Sequence, residues 1–224
     1  MQSGTVTALE IQKRNKERVN LYLDGEFVFG IPLIEAAKLH KGQHLDEQQL
    51  TELRHADAVQ RAVDRGARFL SYRPRSIDEI RRNLLKHETP ESVVEIAIER
   101  LSNLGYLDDM AFAKFWLENR DTFKPRGPMA LRHELRSKGI SNEIIEIVLE
   151  SLDAPDAAYR AAQSKVRAMR GKTLAEFRKK VGSFLQRRGF NYQTSRDVLE
   201  QLIQELTDET PDYFAPNDTD RGYF

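Results

Sequence analysis

The chain has 224 residues, of which 40% are apolar and 31% charged, with 35 Lys and Arg, 35 Asp and Glu, and no cysteine. This much apolar material rules out wholesale disorder. The lack of cysteine excludes a disulfide scaffold, a thiol nucleophile and a cysteine zinc site. Apolar runs are only a few residues long, so nothing is expected to span a membrane. Residues 1–7 lack the apolar segment of a signal peptide, and the chain reads as cytoplasmic. The neutral total hides an uneven distribution: residues 153–206 carry 11 basic and 6 acidic side chains, and residues 207–224 carry 1 and 5. Between Lys165 and Arg188 nine cations face one anion, Glu176, a local surplus able to attract phosphate.

In chain order, the first thirty residues alternate. Val19, Leu21 and Leu23 lead into Asp24-Gly25, and Phe27, Val28 and Phe29 follow. Asp-Gly between alternating runs predicts a hairpin, because a type I′ turn needs positive φ at both central residues. Three antiparallel strands are expected at about 5–12, 18–23 and 26–31. A short helix from 32 to about 40 follows, then a second from an Asp46 N-cap toward residue 54.

From residue 57 the strand signal stops and a repeat begins. Ile80, Leu84 and their neighbours align with Leu131 and Leu135 at an offset of 51, and these with Val181 and Leu185 at 50. Val93, Val94, Ala97, Ile98 and Leu101 map in the same way onto Ile144, Ile145, Val148, Leu149 and Leu152, then onto Thr194, Ser195, Val198, Leu199 and Leu202. Their spacing puts each set on one helical stripe. Gly139 and Gly189, each after a basic last turn, read as helix stops. The expectation is a mainly α chain: an N-terminal β-rich extension (1–56), three tandem three-helix repeats (57–107, 108–152, 153–206) forming an elongated curved array, and an acidic flexible tail (207–224).

Leu70-Ser71-Tyr72-Arg73-Pro74-Arg75-Ser76 with Glu79 to Leu84 behind it resembles the first repeat of the RecX family. Leu104-Gly105-Tyr106-Leu107-Asp108-Asp109 and Lys124-Pro125-Arg126-Gly127-Pro128 are similar to later family blocks, in the same order and spacing. The third repeat departs from the pattern, with Gly171-Lys172-Thr173 where the Pro-Arg-Gly-Pro block would stand, and the strand piece is an addition that many members lack. The resemblance covers about residues 57–206. It implies a non-enzymatic, monomeric modulator without a cofactor. Such a protein binds the filament of the RecA recombinase on single-stranded DNA, suppresses its ATP hydrolysis and strand exchange in recombination, DNA repair and the SOS response, and binds single- and double-stranded DNA. Any ATP belongs to the partner.

The residues themselves offer no enzyme constellation. Asp108-Asp109 opens a helix, where carboxylates suit the dipole, and lacks further oxygen ligands. His40 and His44 have Gly42 between them and no His-Glu-x-x-His pattern. No nucleophile elbow or Gly-rich phosphate loop occurs. Ser76 with Glu79 reads as a capping box. Trp116, Tyr72 and Tyr106 read as packing groups before stacking platforms.

The cations on the second helices carry the binding expectation: Arg81, Arg82 and Lys86 in repeat 1; Arg132, Arg136 and Lys138, with Lys124 and Arg126 ahead of them, in repeat 2; Lys179, Lys180, Arg187 and Arg188 in repeat 3. The apolar positions must face the cores, so the ten cations of the second helices are expected to face out. Glu95, Glu99, Glu146 and Glu150 on the third helices balance the first two repeats. Repeat 3 is left poorly neutralised, for phosphate or an acidic protein surface. The acidic tail is expected to compete for it. Two rivals remain: a stand-alone helix-turn-helix-like DNA regulator, disfavoured because the second helices offer few Asn or Gln to read bases, and a scaffold for proteins alone.

Overall fold

Alternation in the first thirty residues does produce strands. The computed structural model, which describes residues 3–216, has β1 (Gly4–Ile11), β2 (Arg18–Leu23) and β3 (Glu26–Pro32) in an antiparallel meander. Asp24 and Gly25 sit at φ 50° and 91°, as the Asp-Gly turn requires. A fourth strand, β4 (His44–Leu45), pairs with β1 and gives the order β3-β2-β1-β4. It is too short for alternation to reveal. The first expected helix shrinks to one turn, α1 (Leu33–Ala36).

The second expected helix does not stop near residue 54. Asp46 accepts from the Gln49 amide, and the Gln49 side chain accepts from the Asp46 amide. From this box α2 runs unbroken over Glu47–Leu70, through the expected boundary at 56/57. No Gly or Pro interrupts residues 47–65, so nothing ends the helix there. Its first half packs Leu50 and Leu53 against the sheet. Its second half packs Val59, Ala62 and Val63 against α3 (Ile77–Lys86) and α4 (Glu91–Asn103).

Asp57, near the middle of α2, is 6% exposed and pairs with Arg18 of β2 at 2.7 Å and with Arg61 at 3.2 Å. The Arg18 guanidinium also donates to the Gly30 carbonyl of β3 at 3.1 Å. This buried pair ties the sheet to the helix that begins repeat 1.

Two compact units result, Met1–Asp108 and Asp109–Phe224. The second holds α5 (Asp109–Phe123), α6 (Pro128–Ser137) and α7 (Asn142–Leu149), then α8 (Ala154–Met169), α9 (Leu174–Arg187) and α10 (Tyr192–Glu209). Ile80 and Leu84, Leu131 and Leu135, Val181 and Leu185 are all buried, as the repeat requires. Ser76, Ser141 and Asn191 cap the helices that follow them, while the Glu79 carboxylate accepts from both terminal nitrogens of Arg73.

The expected mobile tail is corrected over its first part. Residues 207–209 continue α10, and Tyr213 is buried against Phe177, whose ring also meets Phe214 edge-on at 5.4 Å. The Tyr213 hydroxyl donates to the Val166 carbonyl, and burial raises its pKa. Two aromatic rings thus outweigh the acidic composition by closing the repeat 3 core. Residues 217–224 lie outside the described residues.

Asp57→Ala should leave the half-buried Arg18 without its carboxylate partner and lower the stability of the N-terminal unit by about 3 kcal/mol. Asp64→Ala, on the exposed face of the same helix, should change it by about 0.5 kcal/mol or less. Urea unfolding followed by circular dichroism checks both values, and equal losses would refute the anchoring role of Asp57.

Candidate nucleic-acid interface

In repeats 1 and 2 the second-helix arginine is met by a third-helix glutamate. Arg81 Nε and Nη2 donate to the two Glu95 oxygens at 2.9 Å each. The equivalent Arg132 donates to Glu146 at 2.8 and 2.7 Å. These hydrogen bonds hold both glutamate carboxyls below the ordinary carboxylate range. Arg82 pairs with Asp78 at 2.6 Å, and Arg136 donates to Asn142 at 2.9 Å.

Repeat 3 breaks this pattern. The positions equivalent to Arg132 and Glu146 are Gly182 and Arg196. The space filled by the ion pair in repeat 2 is here a groove of about 310 Å³ between α9 and α10, lined among others by Arg178, Lys179, Gly182, Tyr192 and Arg196. Tyr192 is 68% exposed. Arg196 reaches its nearest carboxylates, Asp197 and Glu200, only at 3.7 and 3.6 Å, and Lys180 reaches Glu176 at 3.7 Å. Lys179 and Arg187 are exposed. Arg178, Arg196 and Tyr192 were not among the expected site residues. Carrying the fifty-residue offset across the Arg–Glu pair was the signal available for the glycine and the arginine.

Three of the expected contact residues make contacts within the chain. Arg126 pairs with Glu134 at 2.9 Å. Glu134 also accepts from Arg120 at 2.7 Å and from the Trp116 indole at 2.8 Å. The Lys138 ammonium lies 5.1 Å from the centre of the Trp116 ring. Arg188 is partly buried where repeats 2 and 3 meet. It donates to the Pro125 carbonyl at 3.2 Å and lies over Phe184 at 4.9 Å. Burial, followed by the nearby charge of Arg126, lowers its pKa. Lys86 and Lys124 remain exposed, whereas the expectation of packed tyrosines fails: Tyr72 is 78% and Tyr106 60% exposed.

The Pro125-Arg126-Gly127-Pro128 block is the socket for that meeting. The amides of Gly127 and Met129, at the start of α6, donate to the carbonyls of Arg188 and Gly189, at the end of α9, at 2.9 and 3.2 Å. An N-terminus thus meets a C-terminus, satisfying orphan groups of both helices with favourable dipoles. The approach is so close that a Cβ on Gly189, at φ +86°, would fall 2.4 Å from the Ala130 nitrogen. Arg160 reinforces the junction through Asp121, bonding its carbonyl and its carboxylate at 2.6 Å each.

Family models for the RecX N-terminal domain and for the first, second and third RecX three-helix domains match residues 4–46, 56–101, 108–149 and 153–199. The chain belongs to the RecX family. The strand piece has a family model of its own. The chain is similar to the regulatory protein RecX of Bacillus velezensis, at 33% identity over 91% of this chain and 80% of the relative. That of Bacillus subtilis is 31% identical over 92% and 80%. A crystal structure of a regulatory protein RecX superposes with a TM-score of 0.75 at 28% identity, covering 88% of this chain and 99% of the other. RecX from Lactobacillus salivarius, at 23% identity and a TM-score of 0.58 over 67% and 97%, shares the fold. The matched RecX descriptions are of a regulator and name no enzyme. Among the described residues no helix is long and apolar enough to cross a membrane.

Gly189→Ala should destabilise the C-terminal unit by about 2–5 kcal/mol, combining left-handed strain with overpacking. Gly171→Ala, at φ +72° with open space around it, should cost only about 1–2 kcal/mol. Thermal unfolding of the two variants separates these values. Equal losses would mean that the close approach to Ala130 is not what requires Gly189.

Proposed function

We propose that this RecX-family chain is a non-enzymatic regulator that binds the filament of RecA on single-stranded DNA, with repeat 3 supplying the main cationic contact. The supporting observation is the replacement of the Arg–Glu pair of repeats 1 and 2 by Gly182 and Arg196. Arg196 stands where the earlier repeats place a glutamate, and with Arg178 and Lys179 beside it the groove has phosphates or acidic protein surface as its natural partners. Lys179 and Arg187 contact the partner directly, Arg178 and Arg196 flank the groove, and Lys86 and Lys124 add weaker contacts. Arg126, Arg188 and Lys138 hold the scaffold. Bound along the filament, the chain obstructs the second DNA strand and the subunit motions coupled to ATP hydrolysis, as the family resemblance implies.

Substoichiometric chain should depress ATP hydrolysis by RecA on single-stranded DNA. Lys179→Glu with Arg187→Glu should weaken that effect and flatten the salt dependence of filament binding by roughly one log–log unit for each phosphate no longer neutralised, with unchanged thermal unfolding. Glu150→Lys serves as the acidic-face control. Unchanged ATP hydrolysis at several-fold excess would sink the regulatory reading. A folded double variant with the same affinity and salt slope would move the binding surface away from repeat 3. Tight binding to a particular duplex without RecA would favour the stand-alone DNA regulator.

A further inference from the structure

The N-terminal unit carries a second basic surface, formed by a different helix from those that hold the expected cations. Arg61, Arg65 and Arg68 follow one another on α2 at steps of four and three. At 100° per residue they lie within about 60° of one another around the axis, over roughly 10 Å of its length. All three are exposed. They form one wall of a groove of about 560 Å³, whose rim also includes Asn15, Tyr72 and His87. Asn15 stands in the β1–β2 turn between Arg14 and Lys16, with Lys13 before them, and these three cations are exposed as well.

The charges in this groove are not all occupied by ion pairs. Arg18 and Arg61 share Asp57. Asp64, the acidic group of the lining, accepts from the Gln60 amide at 2.9 Å. Arg65 and Arg68 line the same groove as exposed side chains. Tyr72, just past the end of α2, is 78% exposed. A row of guanidiniums beside an exposed ring is the combination that holds a nucleic-acid single strand, with phosphates on the cations and a base on the ring. A duplex keeps its bases stacked and has no free face to offer such a ring.

We infer that the groove between the β1–β2 turn, α2 and Tyr72 is a binding site for a single strand of nucleic acid, separate from repeat 3 and independent of RecA. Arg65 and Arg68 bind consecutive phosphates, Tyr72 stacks on an unpaired base, and the Lys13–Lys16 turn extends the phosphate track. The strand piece therefore does more than pack on α2: it supplies the second wall of the site.

The test is fluorescence anisotropy of a labelled oligothymidylate with the full chain and no RecA present, titrated at several salt concentrations. Arg65→Glu with Arg68→Glu should weaken binding about tenfold or more and flatten the log–log salt slope by about 1.4, the single-strand value for two phosphates. Arg65→Lys with Arg68→Lys should keep most of the affinity. Tyr72→Ala should weaken binding about fivefold or more at unchanged slope, while Tyr72→Phe should not. Circular dichroism and thermal unfolding confirm that each variant is folded. The proposal is overturned if the folded charge-reversal variant binds the oligonucleotide with unchanged affinity and slope. It is overturned equally if that variant loses only RecA binding, which would make the groove a protein-binding surface. Neither result touches the role given to repeat 3, which is read on ATP hydrolysis by RecA with Lys179→Glu and Arg187→Glu.

Discussion

Arg132 and Glu146 meet through two parallel hydrogen bonds across the second and third helices of repeat 2, and Arg81 and Glu95 do the same in repeat 1. Their side chains are 31% and 52% exposed in repeat 2 and 37% and 51% in repeat 1, so solvent screening leaves such pairs little effect on stability. Their larger effect is on the surface field. Each pair cancels a charge and fills the space between two helices. Where Gly182 and Arg196 replace it, the same backbone arrangement presents an open groove with cations along its edge. Two exchanged residues within a repeated three-helix frame thus separate a surface whose arginine is neutralised from an open groove with cations along its edge.

A cationic surface of this kind needs a fixed support, because it has few close ion pairs of its own to hold its shape. The socket at Gly127 provides one end of it. There α9 is held at its last carbonyls by the first amides of α6, and Arg188 and Arg160 are drawn into the junction. The other end is the aromatic closure of Phe177 by Tyr213 and Phe214. Arg188 and Arg160 are drawn into the scaffold, while Lys179 and Arg187 project from α9 as exposed side chains. This division follows from burial: a guanidinium that is partly dehydrated and hydrogen-bonded to a carbonyl is no longer available to a phosphate.

Much of this was legible in the sequence. The Asp24-Gly25 turn, the apolar stripes at offsets of 51 and 50, and the caps at Asp46 and Ser76 are local signals, and the structure follows them. Features decided by tertiary packing were not legible. The run of α2 through residues 54–57 hides in the change of buried face from Leu50 and Leu53 to Val59 and Ala62. The packing of Tyr213 hides in an acidic segment. Arg188 looks like a surface cation until the Pro125 carbonyl is brought beside it. The arginine row at 61, 65 and 68 is visible as periodicity, but it lies outside the second helices where the repeat concentrates its cations, and only the fold brings the β1–β2 turn beside it.

The most direct measurement rebuilds in repeat 3 the pair that it lacks. Gly182→Arg with Arg196→Glu places the residue types of Arg132 and Glu146 at the equivalent positions. A Cβ on Gly182 would lie 3.3 Å from the end of the flexible Leu199 side chain, which needs to give by only a few tenths of an ångström, and removing a mid-helix glycine favours α9 by up to about 1 kcal/mol. The variant should therefore be at least as stable as the parent chain. Its inhibition of RecA ATP hydrolysis on single-stranded DNA should nevertheless fall sharply, with a flatter salt dependence of filament binding. A stable double variant that inhibits RecA as strongly as the parent, with the same salt dependence, would contradict the claim that the open, cation-lined groove of repeat 3 is what the partner recognises.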